Sequence, residues 1–262
     1  MADGDPRVAA RGRADDPLRP APADSSGTGH RLTSMSPARL VAGSSLLIFD
    51  LFHTLVSFRS DGTPGASTSE HLGIPEELWN KLLWESSDRR LRNELSDDAA
   101  TVRELAHLHD FTIAEEKILA AATARADRFR HCLINPPQHR VDVIRELHTR
   151  NHVLVLLSNA DSMEKRAWQH SPFAPFFAKA FFSCDTGHVK PEPAAYQLAL
   201  GGLHPHQAVF IGDGGSDELK GAKACGIPTI MTTEIIGLLW PDLAGKRKAD
   251  ADHIISRLEE LL

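Results

Sequence analysis

The chain has 262 residues, 42% of them hydrophobic and 24% charged, with a formal net charge of −6. These are ordinary values for a globular protein, and the length suits one large domain or one domain carrying an insertion. The mild acidity argues against a nucleic-acid partner, and no apolar run approaches the ~20 residues of a membrane span.

Residues 1–44 are rich in Ala, Pro, Gly, Arg, Asp and Ser, with prolines at 6, 17, 20, 22 and 37. They show no apolar periodicity, so a disordered N-terminal segment is expected there. No continuous hydrophobic stretch follows the early arginines, which speaks against a secretory signal. Met35 would open the folded part cleanly.

Order is expected to begin at 46–49, a short apolar run that ends at Asp50 and reads as a buried strand. Residues 75–131 then read as helical throughout, with stretches at 76–95, 98–109 and 113–129. Leu78, Trp79, Leu82 and Leu83 share one side of the first. A helix is expected at 138–150, with Val141, Ile144 and Leu147 at helical spacing. A strand at 153–157 follows it and ends at Ser158. Further strands are expected at 179–183, 208–211 and 228–231, with helices at 193–200 and 217–225; Gly226 is placed as a helix stop. Alternation of strand and helix from 138 to 232 points to an α/β fold: a mainly parallel sheet with crossover helices. The expected organisation is a core of 45–58 and 136–262, interrupted by a small helical domain at 59–135.

Cys132, Cys184 and Cys225 are odd in number and far apart. Neither a disulfide framework nor a zinc spacing is visible, and buried thiols in a reducing cytoplasm are expected.

In an open parallel sheet, ligands sit beyond the carboxyl ends of the strands. Asp50, Ser158-Asn159 and Asp213 all lie at such ends. A strand-end Asp can simply cap a turn. Two carboxylates brought to one rim repel each other, however, and a divalent cation removes that penalty. The segment from Gly212 to Glu218 is glycine-rich and acidic and opens a helix. Asp217 and Glu218 could orient a metal, or could serve only as first-turn acids favoured by the helix dipole. Lys190, stiffened by Pro191, could neutralise an anionic substrate, or could be a solvated surface lysine.

Taken in order, Asp50-Leu51-Phe52-His53-Thr54, Ser158-Asn159, Lys190-Pro191 and Gly212-Asp213 through Glu218, Gly221-Ala222 and Gly226 resemble the haloacid dehalogenase superfamily over about residues 45–233. The resemblance implies a Rossmann-like three-layer core with a helical cap inserted after the first motif. It implies Asp50 as nucleophile and Lys190 beside it in catalysis. Leu51, Phe52, Ser158, Asn159 and Lys190 would bind phosphate, the first two through backbone amides. Mg²⁺ would be held by Asp50, the backbone oxygen of Phe52, Asp213 and Glu218. The substrate is then expected to be a small phosphate ester.

One position departs from the family pattern. Phosphatases of this kind carry a second Asp two residues after the nucleophile, and here that position is Phe52. Three chemistries stay open: phosphate-ester hydrolysis with another acid such as His53, halide displacement, and carbon–phosphorus cleavage using Lys81 or Lys117. A weakly active phospho-ligand-binding relative is the non-enzymatic alternative. The loop 57–69 is polar and Gly-rich and is expected to be mobile.

Overall fold

The computed structural model describes residues 35–61, 65–94 and 98–262. Its strands are β1 Leu46–Phe49, β2 Val153–Ser158, β3 Lys179–Phe182, β4 Ala208–Gly212, β5 Thr229–Thr232 and β6 His253–Ile255. They form one sheet in the order β3-β2-β1-β4-β5-β6, and every neighbouring pair is parallel.

The central strands are apolar on both faces because helices cover both faces. Alternate residues divide between two cores. Leu47, Phe49, Leu154, Leu156, Val209 and Ile211 pack on one side. Leu46, Ile48, Val155, Leu157, Ala208 and Phe210 pack on the other, against the helices Pro193–Leu200 and Glu218–Ala224. This is the expected Rossmann-like α/β architecture. β6 was not expected, since His253 and Ile254 are only partly covered and leave a single buried residue, Ile255.

The expectation of disorder across 1–44 needs correction at its end. Pro37–Ala42 is helical, started by Ser36, whose hydroxyl accepts from the Arg39 N–H at 3.3 Å, with Pro37 in the first turn. Leu40 and Val41 are buried in the first core. Six residues are too few to display a helical period, so the cap and the two apolar residues were the only signals. Residues 1–34 lie outside the described residues.

Between β1 and β2 run the helices Thr68–Leu72, Glu76–Glu85, Ser87–Leu91, Asp98–His109 and Glu115–Ile134. The expected helix at 76–95 breaks at Ser86, and positions 95–97 lie outside the described residues. The insertion has its own apolar cluster, including Leu72, Trp79, Leu82, Val102, Leu105 and Ile118. Its last helix crosses into the main body: Ile118 and Ala121 pack in the insertion, whereas Cys132 and Leu133 pack in the first core.

The insertion is also joined to the sheet by a buried ion cluster. Arg90 and Arg125 reach Asp161 and Glu164, just past the end of β2, at 2.5–3.1 Å. Burial pushes the Asp161 carboxyl up, but Arg125 and Arg90 outweigh it and hold the group below the usual carboxylate range. Mobility across 57–69 is not what 57–61 show. Asp61 accepts from the Ser57 N–H at 2.7 Å and is paired with buried Arg140; residues 62–64 lie outside the described residues. No helix among the described residues is long and apolar enough to cross a membrane.

Leu40→Ala should destabilise the protein by about 2–4 kcal/mol in urea unfolding, the range for truncating a buried leucine. A loss below about 0.5 kcal/mol would mean that the helix Pro37–Ala42 is not docked.

Candidate active site

The sheet brings the two acids together by register. Phe49 pairs with Leu156 on one side and Ile211 on the other. Asp50 therefore stands beside Leu157 and Gly212, with Ser158 and Asp213 one residue further on. The Asp50 N–H continues the ladder to Ile211 O at 2.9 Å. β1 and β4 are adjacent, about 4.8 Å apart in any sheet, and the chain's path reverses between them. That reversal is the crevice where open α/β sheets bind ligands.

Asp50, Asp213 and Glu218 are all buried, and one oxygen from each lies within 4.8 Å of the others. Lys190 joins two of them. Its Nζ donates to Asp50 Oδ1 and to Glu218 Oε2, each at 2.6 Å. Burial disfavours the Lys190 ammonium, but Asp50 and Glu218 outweigh burial and raise its pKa, so it stays charged. Glu218 responds the other way. Burial and Asp50 push its carboxyl up to about 8 although Lys190 opposes them. Burial and Asp50 likewise raise Asp213 against the pull of Arg247.

Every carboxylate oxygen of the trio already accepts a hydrogen bond. Asp50 Oδ2 accepts from Thr54 Oγ1, Asp213 Oδ1 from Gly215 N–H, Asp213 Oδ2 from Arg247, and Glu218 Oε1 from Gly214 N–H. Each retains a second lone pair. The donor set is oxygen alone, which fits a hard cation such as Mg²⁺. With all three carboxylates ionised, they outnumber the two cations, Lys190 and Arg247, by one, and the raised Glu218 and Asp213 carboxyls reflect that excess.

The other expected site residues divide. Ser158 is 2% exposed, and its hydroxyl has no partner among the described residues. A buried unpaired hydroxyl costs about 1–3 kcal/mol unless a ligand oxygen meets it. Leu51 and Phe52 donate none of the backbone hydrogen bonds found among the described residues, leaving their N–H groups for an anion. Asn159 lines the cleft, but both ends of its amide hold the backbone of Lys190, at 2.8 and 2.9 Å. The Phe52 ring meets Phe58 and Phe129 edge-on and lines the cleft mouth. Asp217 points to solvent and pairs with Lys220. Lys81 pairs with Glu85 on an exposed surface, Lys117 is exposed, and neither lines the cleft.

His53 borders the cleft at φ 64°. Burial lowers its pKa to about 4 against the pull of Asp50, so at neutral pH the ring has no imidazolium proton to give. Sequence reasoning missed two residues of the site. Thr54 was quoted within the first motif without a role, and its hydroxyl is now a fixed donor to the nucleophile candidate. Arg247 ends the helix Pro241–Arg247 within a Lys-Arg-Lys run that reads as solvated surface.

Gly221 shows how the fourth motif supports the third. A Cβ there would lie 2.8 Å from both Cβ and O of Pro191, and 2.6 Å from the Tyr196 hydroxyl, which itself donates to Glu218 O. Gly221→Ala should displace the Lys190–Pro191 loop. It is expected to cost about 1–3 kcal/mol in thermal or urea unfolding and to lower any Asp50-dependent turnover by more than the loss of folded protein explains. Unchanged stability would show that the approach is not tight.

A family model described as haloacid dehalogenase-like hydrolase matches residues 45–226. Among curated proteins no sequence match is found. Solved structures share the fold. The HAD-hydrolase YfnB of Bacillus subtilis, bound to magnesium, is 19% identical with a TM-score of 0.59, covering 83% of this chain and 96% of its own. The L-2-haloacid dehalogenase of Xanthobacter autotrophicus is 18% identical at 0.56, with the same coverage. A HAD family enzyme of Bacteroides thetaiotaomicron, in complex with magnesium and inorganic phosphate, is 18% identical at 0.52, covering 72% and 94%. At these identities the likeness establishes the fold alone, and it is the matched family model, spanning every motif from Asp50 to Gly226, that makes this chain a member of the haloacid dehalogenase-like hydrolases.

Proposed function

We propose that this hydrolase is a Mg²⁺-dependent phosphatase of small phosphorylated metabolites, acting through an aspartyl phosphate on Asp50. The observation that carries this reading is the convergence of Asp50, Asp213 and Glu218 oxygens within 4.8 Å in a cluster short of positive charge. A divalent ion held by Asp50 and Asp213, with the Phe52 backbone oxygen, would neutralise the transferring phosphoryl group. Glu218 also fixes Lys190, its Oε2 accepting from Nζ at 2.6 Å while Oε1 accepts from the Gly214 N–H.

The steps assigned to the chain are these. The phosphoryl group lies against Lys190, the Ser158 hydroxyl and the N–H groups of Leu51 and Phe52, which offset its charge. An Asp50 oxygen attacks phosphorus, and the phosphorus–oxygen ester bond breaks to expel the leaving group as its oxyanion, which takes a proton from water. Water then attacks phosphorus and frees Asp50 and inorganic phosphate. The helical insertion serves as the cap over this cleft. Phe52, Phe58, Leu83, Trp84 and Phe129 form the apolar part of a hollow that adjoins the cleft through Phe52, with Asn80, Arg90 and Glu164 on its polar part, and it could receive the leaving group. With Phe52 unable to give a proton and His53 neutral, the preferred substrate is one whose leaving group departs without help. Halide displacement is the second reading. Phe52 favours it, because halide needs no proton; Asp213 has no use in it. Carbon–phosphorus cleavage lacks a cleft lysine other than Lys190 among the described residues.

Wild-type protein should release phosphate from a panel of small phosphate esters in Mg²⁺, and EDTA should stop it. Asp50→Asn should lower the rate by about 10³-fold or more. Turnover that survives in the variant would exclude Asp50 as nucleophile, and metal-independent halide release from 2-haloacids would favour the second reading.

Phe52→Asp tests the missing acid. It should speed hydrolysis of alkyl phosphates by about 10²-fold while changing aryl phosphates with good leaving groups far less. An equal effect on both classes would argue that Phe52 matters for shape rather than for the absent proton.

A further inference from the structure

We propose that Arg247 is a tethered cation that competes with the divalent metal for Asp213, so that metal can enter only as the guanidinium leaves. The inference rests on the metal reading above and adds a residue which the family motifs do not contain. Arg247 Nη1 donates to Asp213 Oδ2 at 2.5 Å and also faces Asp213 O at 3.4 Å. The side chain lines the same cleft as Asp50, Lys190 and Glu218 and is 23% exposed. Its Nε and Nη2 donate to nothing among the described residues. The guanidinium is therefore held through Nη1 alone.

The loop is shaped to receive it. Gly214 sits at φ +83°, and a Cβ there would come within 3.1 Å of Arg247 Cβ and 3.2 Å of Cδ. The arginine stem lies directly across Gly214, and a Cβ on Gly215 would stand 3.6 Å from Nη1. Gly214 leaves space for an arginine side chain to reach Asp213 from the helix Pro241–Arg247, an element outside all four motifs; a Cβ on Gly215 would only touch the guanidinium.

The charges explain why the two cations exclude one another. Asp213 Oδ1 accepts from the Gly215 N–H and Oδ2 from Arg247, so a metal on either oxygen would share its carboxylate with the guanidinium. A guanidinium at 2.5 Å and a divalent ion bound to the same carboxylate would place like charges close together in a buried site. With Arg247 in place the cluster is short by a single positive charge, whereas a divalent ion supplies two. Departure of Arg247 from Asp213 removes that excess.

The test is metal binding by the intact protein without substrate. Mn²⁺ affinity is measured by electron paramagnetic resonance for wild type, Arg247→Met and Arg247→Gln, with Asp213→Asn as the baseline. Melting in Mg²⁺ and in EDTA is run on each. Loss of one charge-assisted hydrogen bond to the competitor should tighten Mn²⁺ binding in both arginine variants by about tenfold or more. Their melting temperature should also respond to Mg²⁺ more than that of the wild type. If all three proteins bind Mn²⁺ equally and Asp213→Asn does not, the metal site stands and the competition is overturned. Weaker binding in the arginine variants overturns it too, making Arg247 a support for the site. If no protein binds above the Asp213→Asn baseline, the metal reading falls and the competition falls with it. Agreement between Met and Gln variants guards against an effect of one misfolded protein.

Discussion

Lys190 is the residue around which the cleft is organised. An ammonium buried in a protein core is costly unless opposite charges meet it. Here Asp50 and Glu218 meet it at 2.6 Å each. The same lysine keeps two buried carboxylates from repelling one another. Removing Lys190 would leave two buried carboxylates with no cation between them, so the surroundings are built to hold it still. Asn159 grips the Lys190 backbone from both sides of its amide. Tyr196 and Gly221 seat Pro191 against the helix that carries Glu218. Thr54 fixes the far oxygen of Asp50. Four separated segments of chain thereby become one rigid acid–base cluster.

Much of this was legible in the residues themselves, for identifiable reasons. A parallel strand covered on both faces must be apolar along its length, so β1, β2 and β4 stand out, and a charged residue ending such a run stands out with them. Asp50 and Asp213 were visible on that ground. The insertion was visible because its amphipathic stretches interrupt the strand–helix alternation. What stayed hidden depends on contacts between distant segments. Arg247 looks like any arginine in a basic surface run. Arg90, Arg125, Asp161 and Glu164 lie in three different elements, and nothing in any one of them announces a shared cluster. Short elements with a single buried side, such as Pro37–Ala42 and β6, offered too few residues to show a period. Asn159 was placed at the correct strand end, yet its amide holds the lysine loop.

Phe52 and Arg247 both border the cleft that holds Asp50. Phe52 stands where phosphatases of this family carry a second Asp, and makes an aromatic wall with Phe58 and Phe129. Arg247 adds a cation beside Asp213. Their combined effect is a cleft with less capacity to move protons and more fixed positive charge. On the phosphatase reading proposed above, such a site would suit an anionic substrate whose departing fragment is already a stable anion.

The four-charge cluster of Arg90, Arg125, Asp161 and Glu164 bears on what parting the insertion from the sheet would cost. Both guanidinium groups sit on the insertion and both carboxylates at the start of the short helix Ser162–Lys165 after β2. Swinging the insertion away would expose an electropositive face and an electronegative face to water at the same moment. The junction is thus a charged seam set beside apolar packing, where Met163 joins the insertion's cluster and Cys132 and Leu133 join the first core. Dissolved ions that coat each face would favour any such parting, and dilute buffer would oppose it, so the salt in the medium would set its cost.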